Sequence, residues 1–297
     1  MPYEMAALLA AFCWTIGGLI STSPARAIGG MSFTRIRMTL VFFLLVFVSY
    51  LTGGWQTIAE SQLPIIILSG LIGIFIGDTA LFTTMSRLGP RRTAMLFATN
   101  APMSAIIGYF WFGERMTALA VFGCSLVMSG VIISIRYGKR ADQVHHFETI
   151  RGSLAVGLAL GLLAALGQSI GSVIVKPALS AGADPLSVAA IRTGVAAAAL
   201  WTLQTLFPVK LFRRHGSLTP RLWLHVIASG IIGMAIGMTL LLYAFAHGDV
   251  GVASILSSTN PIMLLPMIWL VSGEKPANGA WVGALLAVLG TSLILAF

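Results

Sequence analysis

"LFATNAPMSAIIGYFWFGE" (Leu96–Glu114) and "LSSTNPIMLLPMIWLVSGE" (Leu256–Glu274) lie 160 positions apart and follow one pattern. Each opens on Leu, reaches Thr-Asn with a Pro close behind, runs through an apolar stretch and ends in Gly-Glu. Shared apolar composition can align Leu with Ile by accident. It does not align Thr, Asn, Gly and Glu in one register.

Outward from these stretches, the same register holds without gaps from Ser69 to about Gly130. "SGLIGIFIGDTALF" (69–82) aligns with "SGIIGMAIGMTLLL" (229–242), so Gly70, Gly73, Gly77 and Thr79 recur as Gly230, Gly233, Gly237 and Thr239. Thr99, Asn100, Gly113, Glu114, Gly123 and Gly130 recur as Thr259, Asn260, Gly273, Glu274, Gly283 and Gly290. Earlier parts match more loosely, with Arg37 and Arg192 corresponding at an offset near 155. The chain reads as an internal duplication.

Apolar residues make up 57% of the 297 residues and charged residues only 9%. A soluble domain carries about 25% charged residues, so charge this sparse points to a chain solvated by the lipid bilayer. The net charge of +9 sits in short turns between apolar runs, not in a stripe or tail, which argues against nucleic acid and for topology determinants. Cys13 and Cys124 lie inside apolar runs and imply neither disulfide nor metal cluster. The first residues lack a basic segment, so no cleaved signal peptide is expected.

A membrane-crossing helix needs roughly 20 mostly apolar residues. Ten stretches qualify, near 4–21, 38–54, 64–86, 93–112, 117–136, 153–175, 186–206, 222–246, 251–271 and 277–296, and the second is the shortest. "RYGKRADQVHHFETIRGS" (136–153) is the one long polar stretch and divides the chain in half. It reads as a solvated linker (137–152) between repeats at 1–136 and 153–297, and its adjacent His145 and His146 lack the partners a metal site needs. Five crossings return the chain to the opposite face, so the second unit is inverted relative to the first. The expected fold is an all-α integral membrane protein, with ten transmembrane helices in two inverted five-helix repeats around a central cavity. The loops on the linker side hold fifteen Lys and Arg when Arg35 and Arg37 are counted there, and the rest hold three: Arg115, Lys176 and Arg192. The positive-inside rule then puts the linker in the cytoplasm and both termini outside.

Asp78 is the one acid deep inside an expected span. Such a group costs about 2.5–3.5 kcal/mol at a helix centre, so it faces either a cavity, as a substrate or proton-coupling residue, or a structural partner such as Arg37 or Arg92. Its counterpart is Met238. Pro102, Pro261 and Pro266 interrupt the fourth and ninth spans, freeing the carbonyls of Ala98, Ser257 and Ile262. Open backbone at membrane depth is tolerated only against protein or a wet cavity, so Asn100 and Asn260 beside these breaks are expected to line a pathway or tie helices together. Trp14, Thr15, Gln168 and Ser169 occupy equivalent places in the first and sixth spans, and Trp14 and Gln168 are expected at the cavity with Thr239 and Tyr243. The repeated glycines read as a close-packing face. Glu114 and Glu274 read as acids stabilised at the next helix's N-terminus.

The pair "PMSAIIGYFWFGERMTALAVFGCSLVMSGV" and "PIMLLPMIWLVSGEKPANGAWVGALLAVLGTSLI" resembles the EamA family of the drug/metabolite transporter superfamily. The resemblance rests on the Pro…Gly-Glu…Gly…Gly spacing and covers nearly the whole chain. It implies a basket of ten helices in which the first, third, fourth, sixth, eighth and ninth line a cavity and the fifth and tenth brace the outside. It implies export or exchange of small metabolites or drugs, many members being driven by proton or solute gradients, and termini drawn in the cytoplasm, against the charge count here. The reading is therefore a secondary transporter in the cytoplasmic (inner) membrane, an exporter of a small organic solute working by alternating access with proton coupling. Uptake or exchange, or a non-transporting receptor or scaffold, are the alternatives. The sequence has no "GxxxxGK[ST]" loop for direct ATP drive, no cofactor motif, and no paired aspartates, "HExxH" or Ser-His pair for an intramembrane enzyme.

Overall fold

Apolar runs close into helices because every backbone polar group is then satisfied within the segment, and they stop where a cap or glycine stands. The computed structural model describes all residues except 113–116, 141, 142, 144, 146, 148, 208–215, 249–252, 254, 255 and 297, and leaves out the side chains of 108, 111, 112, 295 and 296. Gly113, Glu114, Arg115 and His146 lie outside the described residues.

The described residues form helices and no strands. They are α1 (Tyr3–Ile28), α2 (Gly30–Thr52), α3 (Glu60–Leu88), α4 (Pro90–Phe97, resumed as Asn100–Phe112), α5 (Ala118–Tyr137), α6 (Leu154–Ser180), α7 (Pro185–Leu206), α8 (Pro220–His247), α9 (Asn260–Ser272) and α10 (Asn278–Ala296). Seven of them (α1, α2, α3, α5, α6, α7 and α8) are long and apolar enough to cross a membrane, and Asn260–Ser272 and Asn278–Ile294 are shorter apolar helices. Thr117, Ser153, Asp184 and Thr219 cap α5 to α8, each side chain accepting the N–H three residues on.

The first turn differs from the sequence reading, for α1 runs on to Ile28 and does not stop near 21. The second helix begins at Gly30, not near 38, and a single residue, Gly29 at φ 86°, turns α1 into it. Arg35 and Arg37 therefore belong to the helix, where both are buried, and leave the loop count. With these two and Arg192 set aside as mid-helix charges, thirteen Lys and Arg remain in the loops and helix ends on the linker side and two on the other.

The halves pack reciprocally. Where α5 meets α10, a Cβ on Gly130 would fall 2.5 Å from the Gly283 carbonyl oxygen, and one on Gly123 would fall 2.6 Å from that of Gly290. Early residues of one helix thus meet late residues of its equivalent, so the two run antiparallel with backbones in contact. The third helix of each half crosses the first helix of the other. Gly73 of α3 meets Gly171 of α6, and Gly233 of α8 meets Gly17 of α1. Both third helices widen into π-helix at equivalent places, Gly70–Asp78 and Gly230–Ile236. The sequence pattern does not announce either.

The linker is not simply a solvated loop. Phe147 is buried against Leu19, Ala94, Leu264 and Ile268. The His145 N–H donates to Glu274 Oε1 (3.0 Å) and the Gln143 side chain donates to the Lys275 carbonyl (3.0 Å). Glu274 thus binds the linker backbone, which a helix-terminus role alone does not describe.

Candidate functional site

Three charged side chains meet in the interior: Arg37 on α2, Asp78 at the end of the π-helical segment of α3, and Arg192 on α7, at 4%, 8% and 1% exposure. Arg37 Nη1 lies 3.9 Å from Asp78 Oδ2, a charge contact beyond hydrogen-bonding distance. The Arg37 guanidinium also lies 4.6 Å from the centre of the Phe82 ring. Both arginines lie within Coulombic reach of Asp78. Arg192 Nη1 points at Met238 Sδ (3.7 Å). Arg92, the other partner considered for Asp78, donates to the Leu88 carbonyl (3.2 Å).

Each arginine fits because the facing helix is glycine. A Cβ on Gly73 would lie 2.9 Å from Arg192 Nη2, and one on Gly233 would lie 3.3 Å from Arg37 Nη2. The glycine series therefore does more than bring helices together: it makes room for two guanidinium groups at the crossings of the halves.

Arg37 and Asp78 open onto a cavity of about 80 Å³, walled largely by apolar groups. Trp14, Gly17 and Gly18 come from α1, Phe82 and Met85 from α3, Ala94 and Phe97 from α4, Gln168 from α6, Met234 and Met238 from α8, and Asn260 and Leu264 from α9. Trp14, Asp78, Gln168 and Asn260 are thus brought together. Asn100 and Asn260 share a smaller neighbouring cavity with Trp14, Ser257 and Ser258. The α2 contribution through Arg37 exceeds the six helices that the family resemblance implied. Among the described residues, none of the lining comes from α5 or α10. The corresponding signal in the sequence was the Arg37–Arg192 match between repeats.

Two expected residues fall elsewhere. Tyr243 stacks on His247 and donates to the Met1 carbonyl (3.3 Å). Thr239 is absent from the lining, its Oγ1 buried without a partner among the described residues. α8 reaches the cavity through Gly233, Met234 and Met238 instead.

The breaks also shift. α4 is interrupted at Ala98–Thr99 and the approach to α9 at Ser258–Thr259, again 160 positions apart. Pro102 and Pro261 sit in the first turn after each break, where a missing N–H costs least. The Ala98 carbonyl accepts the Ala101 N–H (3.4 Å), so it is not left free. Pro266 lies within α9, and the helix continues through it. At both breaks a threonine hydroxyl turns back, Thr99 donating to the Leu96 carbonyl (2.6 Å) and Thr259 to that of Leu256 (2.7 Å). Ser169 of α6 donates to the Asn100 carbonyl (2.8 Å), fixing the broken end against the other half.

A cavity between two related halves, framed by apolar helices and holding buried charge, marks a multi-pass membrane protein. The chain matches the EamA-like transporter family over residues 1–136 and 155–296, and it belongs to that family. It superposes on a crystal structure of another protein with a TM-score of 0.71 at 18% identity, over 98% of this chain and 95% of that one, a likeness of fold alone. Compared with curated proteins, the chain finds no match.

Proposed function

We propose that the protein is a secondary transporter that exports a small organic solute across the cytoplasmic membrane by alternating access. Two inverted five-helix units, 1–136 and 153–297, surround the cavity, with the 137–152 linker in the cytoplasm and the termini outside. The charge count of thirteen against two favours that orientation. The observation that carries the reading is the position of the Arg37–Asp78 pair, facing a cavity where helices of both halves cross. The unit interfaces there rest on glycine contacts, and the helices beside the cavity are broken at equivalent points. Rocking one unit against the other would break and re-form the Arg37 contact with Asp78 and expose the cavity to the opposite side. Asp78 is the carboxylate able to exchange a proton with the cavity, so coupling to a proton gradient would run through it.

The test is overproduction in a bacterial host and comparison of the medium with an empty-vector control by untargeted mass spectrometry. An Asp78→Asn variant produced to the same level runs alongside. A solute that accumulates with the native protein and not with the variant supports export through Asp78. Equal accumulation leaves export standing and returns Asp78 to a structural pair. No change in either medium removes the export reading in favour of uptake.

A further inference from the structure

The interior charges do not balance. Arg37 and Arg192 bring two positive charges into the interior, and among the described residues Asp78 is the one buried carboxylate. Nε and Nη1 of Arg37, and Nε and Nη2 of Arg192, have no hydrogen-bond partner among the described residues. Buried cations left in this condition are strongly disfavoured unless an anion reaches them. The two differ in access. Arg37 is a wall of the cavity, whereas Arg192 stands behind Met238, which is itself a wall. Around Arg37 the lining is largely apolar and aromatic, with Trp14, Phe82, Met85 and Phe97.

We propose that the transported solute is a small organic anion, an apolar body carrying one acidic group that docks on Arg37. This deepens the transporter reading above and rests on it. Asp78 then acts as an internal competitor. Its carboxylate lies 3.9 Å from Arg37 and is displaced by the acid group of the solute. A planar guanidinium suits this exchange, because it can offer two parallel N–H groups to either carboxylate. The competition keeps binding weak enough for release. It also makes a prediction of sign that a merely structural ion pair does not: removing Asp78 strengthens anion binding, and removing Arg37 weakens it.

The experiment is a thermal-unfolding titration of the purified full-length protein in detergent with benzoate, benzamide and benzylamine, three probes of near-equal shape and different charge. Benzoate stabilises the native protein at concentrations up to about 10 mM, and benzamide and benzylamine do not. The apparent benzoate affinity rises about 10-fold in Asp78→Asn and falls about 10- to 100-fold in Arg37→Gln, the range for losing a charged hydrogen bond. Arg37→Lys, which keeps the charge and loses the fork, falls between them. Gel filtration of each variant checks its fold, and the three-probe comparison on the native protein needs no variant at all. Equal stabilisation by benzamide or benzylamine, no benzoate effect, or a benzoate effect unchanged in Arg37→Gln overturns the proposal. Asp78-dependent export of a neutral or cationic solute also overturns it and leaves the transporter reading intact. Benzoate binding without any export overturns the export direction alone and leaves the anion site on Arg37 standing.

Discussion

The two halves place an arginine in the same setting and give it different company. Arg37 leans over Gly233 of the other half and faces Asp78. Arg192 leans over Gly73 of the other half and faces Met238, which stands where Asp78 stands in the first repeat. The frame is duplicated, and one substitution unbalances it. A single carboxylate then serves two guanidinium groups, and the first half alone presents its charge pair to the cavity. The same asymmetry runs through the lining, where Trp14 of α1 and Gln168 of α6 occupy equivalent positions with unlike chemistry.

Making the halves alike is the most severe way to break this comparison. Asp78→Met leaves two buried arginines with no carboxylate, and removing one partner of a buried pair costs about 3–5 kcal/mol. Thermal unfolding in detergent is expected to show that loss, together with loss of solute flux. Met238→Asp is the opposite change and gives Arg192 a carboxylate of its own, so its stability should equal or exceed that of the native protein. The double exchange, Asp78→Met with Met238→Asp, is expected to recover part of the stability and none of the flux. Recovered flux would mean that the position of the acid does not matter, and the asymmetry would lose its functional meaning.

The glycine contacts test where the halves are truly equivalent. Val at position 130 or 283 would push a side chain into the carbonyl of the facing helix at about 2.5 Å. Each of Gly130→Val and Gly283→Val should cost about 1–3 kcal/mol, and the two should agree because the contact is reciprocal. The crossings of third and first helices are not equal. A Cβ on Gly171 would meet Gly73 Cα at 2.7 Å, and one on Gly17 would meet Gly233 Cα at 3.0 Å. Ser69 adds a bond to the Gly171 carbonyl (2.6 Å), whereas its counterpart Ser229 bonds within its own helix, to Val226. Gly171→Ala should therefore destabilise more than Gly17→Ala, by about 1 kcal/mol. Equal costs would show that the α3–α6 crossing is no tighter than α1–α8.

Much of this frame was legible in the sequence because Gly, Thr, Asn and Glu are chemically distinct and kept one register from Ser69 to Gly130. Before that stretch the offset falls to 154 or 155, as Trp14 with Gln168 and Arg37 with Arg192 show, so the match faded although the geometry did not. Arg35 and Arg37 looked like loop charges because a cation inside an apolar helix is costly. What the sequence could not reveal was the company that accommodates them, Trp201 at 4.7 Å from Arg35 and Phe82 at 4.6 Å from Arg37. The π-helical segments were illegible for another reason. A shift in backbone hydrogen bonding has no residue signature beyond permissive glycines. Phe147 was hidden in a polar linker, where one buried ring has no periodicity to betray it.

The smallest expected effect concerns the two broken helices. Thr99 and Thr259 each turn a hydroxyl back to the carbonyl three residues earlier, at 2.6 and 2.7 Å, in segments related by the repeat. Neither position carries charge, so nothing in the Arg37–Asp78 asymmetry should reach them. Thr→Val keeps the volume and β-branching of each side chain and removes only the hydrogen bond, at about 0.5–1.5 kcal/mol. The two variants should lose the same amount in thermal unfolding. A clear inequality would locate a second departure from the duplicated frame. A larger loss at Thr99 would point to the Ser169 contact with the Asn100 carbonyl, which ties that break to α6.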